Sequence, residues 1–211
     1  MKDHYNETYY SWQKNLGAFG GWAELIKFER LITSEMNVLD FGCGGGFLLK
    51  SIHCKDKIGV DINDVARKQV EELGIKSFKH AKDVPNEWAD CIISNHALEH
   101  VPDPFNQITI LREKLKPAGK IIFVVPYDTF KYKPNDINCH LFSWSPMNLG
   151  NLFTTAGYRV IESKTFTHRW PPYYHNIAKL LGTNVFHLSS RVWGYLYRHH
   201  CSQTRLVAIK E

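Results

Sequence analysis

The chain predicts an α/β domain, a mainly parallel sheet with helices on both faces. Three observations carry this. From residue 36 onward, short apolar runs alternate with stretches of helical periodicity. One run, Ala89–Ser94, is almost wholly apolar, as expected of a central parallel strand covered on both faces. The segment Val38-Leu39-Asp40-Phe41-Gly42-Cys43-Gly44-Gly45-Gly46-Phe47-Leu48-Leu49 reads as strand, glycine-rich turn and helix, the unit that binds nucleotides in such sheets.

The elements follow in order. Residues 1–17 are irregular and aromatic, with Tyr5, Tyr9, Tyr10 and Trp12. Helical spacing of Trp22, Leu25, Ile26 and Ile32 predicts a helix over 21–33. Strands are expected at 36–41, 58–61, 75–78 and 89–94, with a helix starting at Phe47 and another over 64–73 that Gly74 closes. Asp103 and Pro104 mark a helix start at 104, and Ser145 and Pro146 mark another at 146. Pro117-Ala118-Gly119 turns into a strand over 120–125, and the last strands are expected at 158–166 and 204–210. Between them, residues 167–202 form a long insertion whose segment 185–200 reads as an amphipathic helix, with Val185, Leu188, Val192, Tyr195 and Leu196 on one face. Core packing is the commonest fate of such a face; covering the substrate or touching a membrane are the others.

Charge argues which nucleotide is bound. In the dinucleotide fingerprint GxGxxG a pyrophosphate sits on the helix N-terminus. Asp40 would repel it there, and the third glycine is replaced by Phe47 or Leu49, depending on the register. A ligand with a cationic amino acid tail and no phosphate fits better, and S-adenosylmethionine is such a ligand. Asp61 ends the second strand at close to the ~20-residue offset at which an acid binds ribose hydroxyls.

With VLDFGCGGG and GVDIN, the segments ADCIISNHALEHVPDP (89–104), LREKLKPAGKIIFVVP (111–126) and HLFSWSPMNLGNLFTTAGY (140–158) complete a resemblance. The chain is similar to class I S-adenosylmethionine-dependent methyltransferases of the small-molecule or sugar branch, over roughly residues 18–166 plus the last strand. The resemblance implies a Rossmann-like, doubly wound, seven-stranded sheet with an antiparallel last strand, in a single domain 1–211 with an N-terminal helical and aromatic lid 1–34. It implies that Asp40, Gly42, Cys43 and Gly44 meet the donor's amino acid portion, Asp40 through the loop and an ordered water. Asp61 would bind the ribose and Ile62 would flank the adenine. Asp83 would accept from the adenine amino group, next to Val84. Asn95 and His96 would stand beside the methyl.

Methyl transfer to a hydroxyl or ammonium requires a base, and histidine suits this near neutral pH. The candidates are His140, His96 and His100, with His140 favoured because similar enzymes place a histidine on that loop. Tyr9, Tyr10 and Tyr127 line the site or serve as packing aromatics. His96-Ala97-Leu98-Glu99-His100 spells HxxEH, a zinc-hydrolase pattern, but it follows a strand end and stops at Pro102, so no metal is expected.

Composition bounds the rest. The chain of 211 residues is 44% hydrophobic and 22% charged, as one globular domain would be. No apolar stretch approaches the ~18 residues of a membrane span, and the polar N-terminus is no signal peptide. Five cysteines with no CxxC pair suit a reducing cytoplasm. The net charge of +5 is uneven: residues 163–210 contain no Asp or Glu, but carry Lys164, Arg169, Lys179, Arg191, Arg198, Arg205 and Lys210. This suggests an anionic partner. The expected partner is an anionic small-molecule acceptor, methylated on oxygen or nitrogen. Peripheral membrane contact and a monomer or homodimer are left open. An RNA methyltransferase is the alternative, weakened by the lack of an NPPY-type motif, and no stable nucleic-acid complex is expected. A non-catalytic donor-binding protein is the third reading.

Overall fold

The computed structural model describes residues 17–128, 138–197 and 201–211. Tyr9 and Tyr10 of the expected lid lie outside the described residues, as does Arg198. Among the described residues, seven strands form one sheet: β1 (Asn37–Phe41), β2 (Asp56–Val60), β3 (Lys76–Phe78), β4 (Ala89–Asn95), β5 (Leu115–Asp128), β6 (Tyr158–Phe166) and β7 (Cys201–Lys210). Their spatial order is β3-β2-β1-β4-β5-β7-β6. Strands β1 to β5 are parallel, and β7 runs antiparallel to both β5 and β6. This is the seven-stranded Rossmann-like arrangement expected from the sequence. The chain leaves β1 toward β2 on one side and later returns to β4 on the other, which opens a crevice above the carboxyl ends of β1 and β4.

Both sheet faces are buried. Leu39, Phe41, Ile92, Phe123 and Val125 belong to one core cluster, and Val38, Cys91, Ile93, Ile122 and Val124 to another. Side chains alternate along a strand, so neighbours in sequence fall on opposite faces. Burial pushes the Cys91 thiol up to about 12, as expected for a cysteine that acts as a small core hydrophobe.

The helix ends are set by local chemistry. The Asn63 side chain accepts from the amides of Val65 and Ala66 at the start of Asp64–Glu72. Asp103 accepts from Asn106 N for Pro104–Lys114, and Ser145 from Asn148 N for Pro146–Thr155. Each satisfies an amide that has no partner within its helix.

Three expectations are corrected. The N-terminal helical segment covers residues 17–24 and then loosens into two 3-10 turns, Leu25–Lys27 and Glu29–Leu31, rather than continuing to 33. Pro117-Ala118-Gly119 does not separate a helix from a strand, because β5 already starts at Leu115. Pairing with β4 slips there, from Ala89↔Leu115 to Cys91↔Lys120, and Ala118 takes a φ of 59° in the bulge. The insertion helix spans Tyr174–Leu196 instead of 185–200, and is broken at Gly182, whose φ of 82° and ψ of 173° are not helical. Its face at 185–196 is not core: Phe186, Ser190 and Gly194 are the buried residues of the helix, while Val185, Leu188 and Val192 are exposed.

Candidate active site

The crevice is built first from the loop after β1. The amides of Gly42 and Cys43 donate to Val60 O at 2.8 and 3.1 Å, which ties the loop to the end of β2. Gly42 has a φ of +75°, and a Cβ there would stand 2.2 Å from Ala97 Cβ, so only glycine fits. Gly44 N donates to Asp61 Oδ2 at 2.8 Å, and Asn63 N donates to Asp61 Oδ1 at 2.8 Å. Burial raises the Asp61 carboxyl above its usual range, although these two amides and Arg67 oppose the shift. Ile62 beside it is 55% exposed, an open apolar surface. Beneath, Asp40 is buried; burial first, and then the charge of Asp61, push its carboxyl up to about 8. The structure thus brings Asp40, Gly42, Cys43, Gly44, Asp61 and Ile62 together. A glycine loop free of side chains, a half-buried carboxylate and an open apolar surface suit a nucleoside with an amino acid tail.

Asp83 and Val84 differ from each other. Asp83 ends the 3-10 turn Ala81–Asp83 with an exposed side chain. Val84 is buried in the core cluster that also holds Val60, and its amide donates to Ala81 O at 3.1 Å. Its side chain therefore packs rather than faces the crevice.

The second group lies at the end of β4. Lys27 Nζ donates to Asn95 Oδ1 at 3.2 Å, and Lys27 and Glu24 form an ion pair. Lys27 is only 1% exposed. Burial of Glu24 would raise its carboxyl, but Lys27 outweighs it and holds the group below its usual value. His96 has a left-handed φ of 57°, unusual for a non-glycine residue, and its amide donates to Val124 O at 2.8 Å.

The third group surrounds Glu99, in the 3-10 turn Leu98–His100. Glu99 is fully buried, and neither carboxylate oxygen has a hydrogen-bond partner. His96 Nδ1, His100 Nε2 and His140 Nε2 stand 3.5, 3.9 and 4.0 Å from its Oε1. Burial holds His100 below the usual histidine value. The loop that carries His140 is tied to the turn by Leu141 N and Phe142 N, which donate to Glu99 O at 2.9 and 3.3 Å. An unpaired buried carboxylate is costly, and three imidazoles around it are its natural compensation. The same geometry has the ligand chemistry for a cation, because one atom each from Glu99, His100 and His140 lie within 4.8 Å of one another.

A cavity of about 430 Å³ opens nearby, lined by Glu24, Phe166, His168, Trp170, Tyr174 and Gln203 among others. Phe166 ends β6 and Gln203 lies near the start of the antiparallel β7, so the cavity sits on the same edge of the sheet as the crevice. Glu24 is common to both. His168 is buried; burial pushes it down to about 4, and its Nδ1 has no hydrogen-bond partner. It is a neutral ring offering a polar atom. Arg169 adds a cation to the lining.

Glu24, Lys27, Glu99 and His168 are the residues that the sequence reading missed. Glu99 is part of HxxEH, but that pattern signals a metal site and not a buried carboxylate among histidines. No periodicity signals that Lys27 meets Asn95.

Comparisons with known proteins bear on the family and the fold. A family model described as a methyltransferase domain matches residues 15–163. A ubiquinone biosynthesis O-methyltransferase of Aliivibrio fischeri is 36% identical over 99 residues, 41% of this chain and 42% of that protein. The chain thus spans less than half the length of the curated relative it matches. A solved S-adenosylmethionine-dependent methyltransferase from Archaeoglobus fulgidus superposes with a TM-score of 0.68 at 22% identity, covering 96% of this chain and 99% of that one. Phosphoethanolamine N-methyltransferase 2 of Haemonchus contortus, solved in complex with S-adenosylmethionine, gives 0.61 at 16% identity, over 91% of this chain and 52% of that one.

Proposed function

The chain belongs to the methyltransferase-domain family, in its class I S-adenosylmethionine-dependent form, and we propose that it methylates a small polar acceptor of the sugar or phosphate-bearing kind. The observation that carries this reading is Glu99, buried without a hydrogen-bond partner in the turn after β4, with His96, His100 and His140 at 3.5, 3.9 and 4.0 Å from its Oε1.

In this reading the backbone of Gly42 and Gly44 receives the amino acid portion of the donor, Asp61 its ribose and Ile62 its adenine, with Asp83 at the adenine amino group. When bound, the donor supplies an electrophilic methyl on a sulfonium. Asn95 and His96 stand beside it; the Glu24–Lys27 pair holds the Asn95 amide in one orientation. Alignment of acceptor and methyl is the main contribution of the protein. His140 accepts the proton that the acceptor hydroxyl or ammonium loses. Glu99 orients the imidazole and stabilises the cation formed there. The cavity bounded by His168 and Trp170 holds the acceptor, with Arg169 as the counter-charge for an anionic group. Oxygen is the favoured acceptor atom, in keeping with the O-methyltransferase of Aliivibrio fischeri to which the chain is similar.

The test is transfer of labelled methyl into host extract, divided into small-molecule, lipid, protein and RNA fractions. Label in a small-molecule or lipid fraction, lost in His140→Ala, supports the reading. Label confined to RNA replaces it with the nucleic-acid alternative. Donor binding without label in any fraction replaces it with a binding protein.

A further inference from the structure

We infer that the outer face of the helix Tyr174–Leu196 is a docking surface for an anionic lipid membrane. The argument starts from how the helix is held. After the break at Gly182, its buried residues are Phe186, Ser190 and Gly194, one narrow strip at a spacing of four. A Cβ at Gly194 would stand 3.0 Å from the backbone of Thr167, and Arg169 N donates to Ser190 O at 3.0 Å. The helix is thus seated closely on residues 167–169 by this strip.

At about 100° per residue, Val185, Leu188, Val192 and Leu196 fall on the opposite side. They are 42%, 63%, 54% and 62% exposed, and Leu180 and Leu181 before the break are 76% and 61% exposed. Scattered apolar residues are ordinary on a surface, but a continuous apolar stripe on one element marks an interaction site. No described helix is long and apolar enough to cross a membrane, so this one would lie in the interface plane.

Charge selects the occupant. Arg191 lies beside the stripe and Lys179 precedes it, both exposed, within a stretch from 163 to 210 that holds no Asp or Glu. A second copy docking through the same face would bring identical cations together. An anionic headgroup layer attracts them while the stripe enters the acyl boundary. The inference is independent of which acceptor is methylated. Tyr174 and Gly194 of the same helix line the cavity, so docking brings that cavity close to the headgroups.

The test is flotation of the full chain with vesicles of phosphatidylcholine alone and of phosphatidylcholine mixed with phosphatidylglycerol. The expected result is flotation with the anionic vesicles only, weakened by salt. Leu188→Ser with Val192→Ser should weaken binding about tenfold or more. Arg191→Glu should weaken it at least about fivefold. Donor binding by both variants serves as the control for folding. Absence of flotation, or flotation that survives both variants, would overturn the inference. So would a wild-type dimer that the Leu188 and Val192 changes turn into a monomer, because the stripe would then be an interface between copies.

Discussion

His140 Nε2 lies 4.0 Å from Glu99 Oε1, although one residue sits on the loop after β5 and the other in the turn after β4. The backbone holds the two together, because the amides after His140 donate to the carbonyl of Glu99 itself. Removing the charge while keeping the shape, Glu99→Gln, should lower kcat by about 10- to 100-fold and leave the donor Kd unchanged, while His140→Ala should cost about 10²–10⁴-fold. Turnover kinetics alongside donor titration check this. A fall in donor affinity as large as that in kcat would make Glu99 merely structural. Addition of a chelator separates the two chemistries of the cluster: a rate lost on chelation and restored by a divalent cation would assign it to metal binding instead.

Asp61 shapes the loop, accepting from Gly44 N and Asn63 N at 2.8 Å each, and in the proposed site it also binds the donor's ribose. Asp61→Ala should therefore weaken donor binding by about 10- to 100-fold, the loss of one or two hydrogen bonds to a charged group. Calorimetric titration with S-adenosylmethionine measures it directly. Unchanged affinity would remove Asp61 from the donor site.

Gly42→Ala should destabilise the fold by about 2 kcal/mol or more, because the new methyl meets Ala97 Cβ at 2.2 Å in a backbone conformation that suits glycine. For a chain of this size that is a fall in Tm of about 4–8 °C, readable by thermal melting. An unshifted Tm would mean that the turn after β4 yields easily.

Asp40 makes a pH-dependent prediction. Its carboxyl is raised from an ordinary 3.8 to about 8 by burial and by Asp61. Between these values the folded chain keeps a proton that the unfolded chain has released, so the contribution of Asp40 to stability falls as pH rises, by up to about 1.4 kcal/mol per unit. Asp40→Asn carries no such penalty, so its stability relative to wild type should rise between about pH 5 and pH 8. Denaturant melts at several pH values check the slope. A difference that is flat with pH would mean that Asp40 is already ionised in the fold.

Much of the architecture was legible in the chain itself. The caps at 103 and 145 and the apolar run at 89–94 act locally, within a few residues of where they stand in sequence, while Gly42, Gly44 and the acid at 61 are legible because they stand at a fixed offset on two successive strand ends. Hydrogen bonds from a side chain to the next turn, and alternation along one strand, are short-range chemistry, which is why the sequence alone determined the fold class, the glycine loop and the donor. The tertiary structure decided what meets across the sheet. His140 reaches Glu99 because β4 and β5 end at the same edge, and Lys27 reaches Asn95 because the turn ahead of β1 packs against the carboxyl end of β4. The insertion shows the same division. Its helical periodicity was visible, but which stripe turns inward was settled by Ser190 and Gly194, the small residues that let the helix approach residues 167–169. Periodicity states that a helix has two faces. Only the packing partner, brought from elsewhere in the chain, selects the one that is buried.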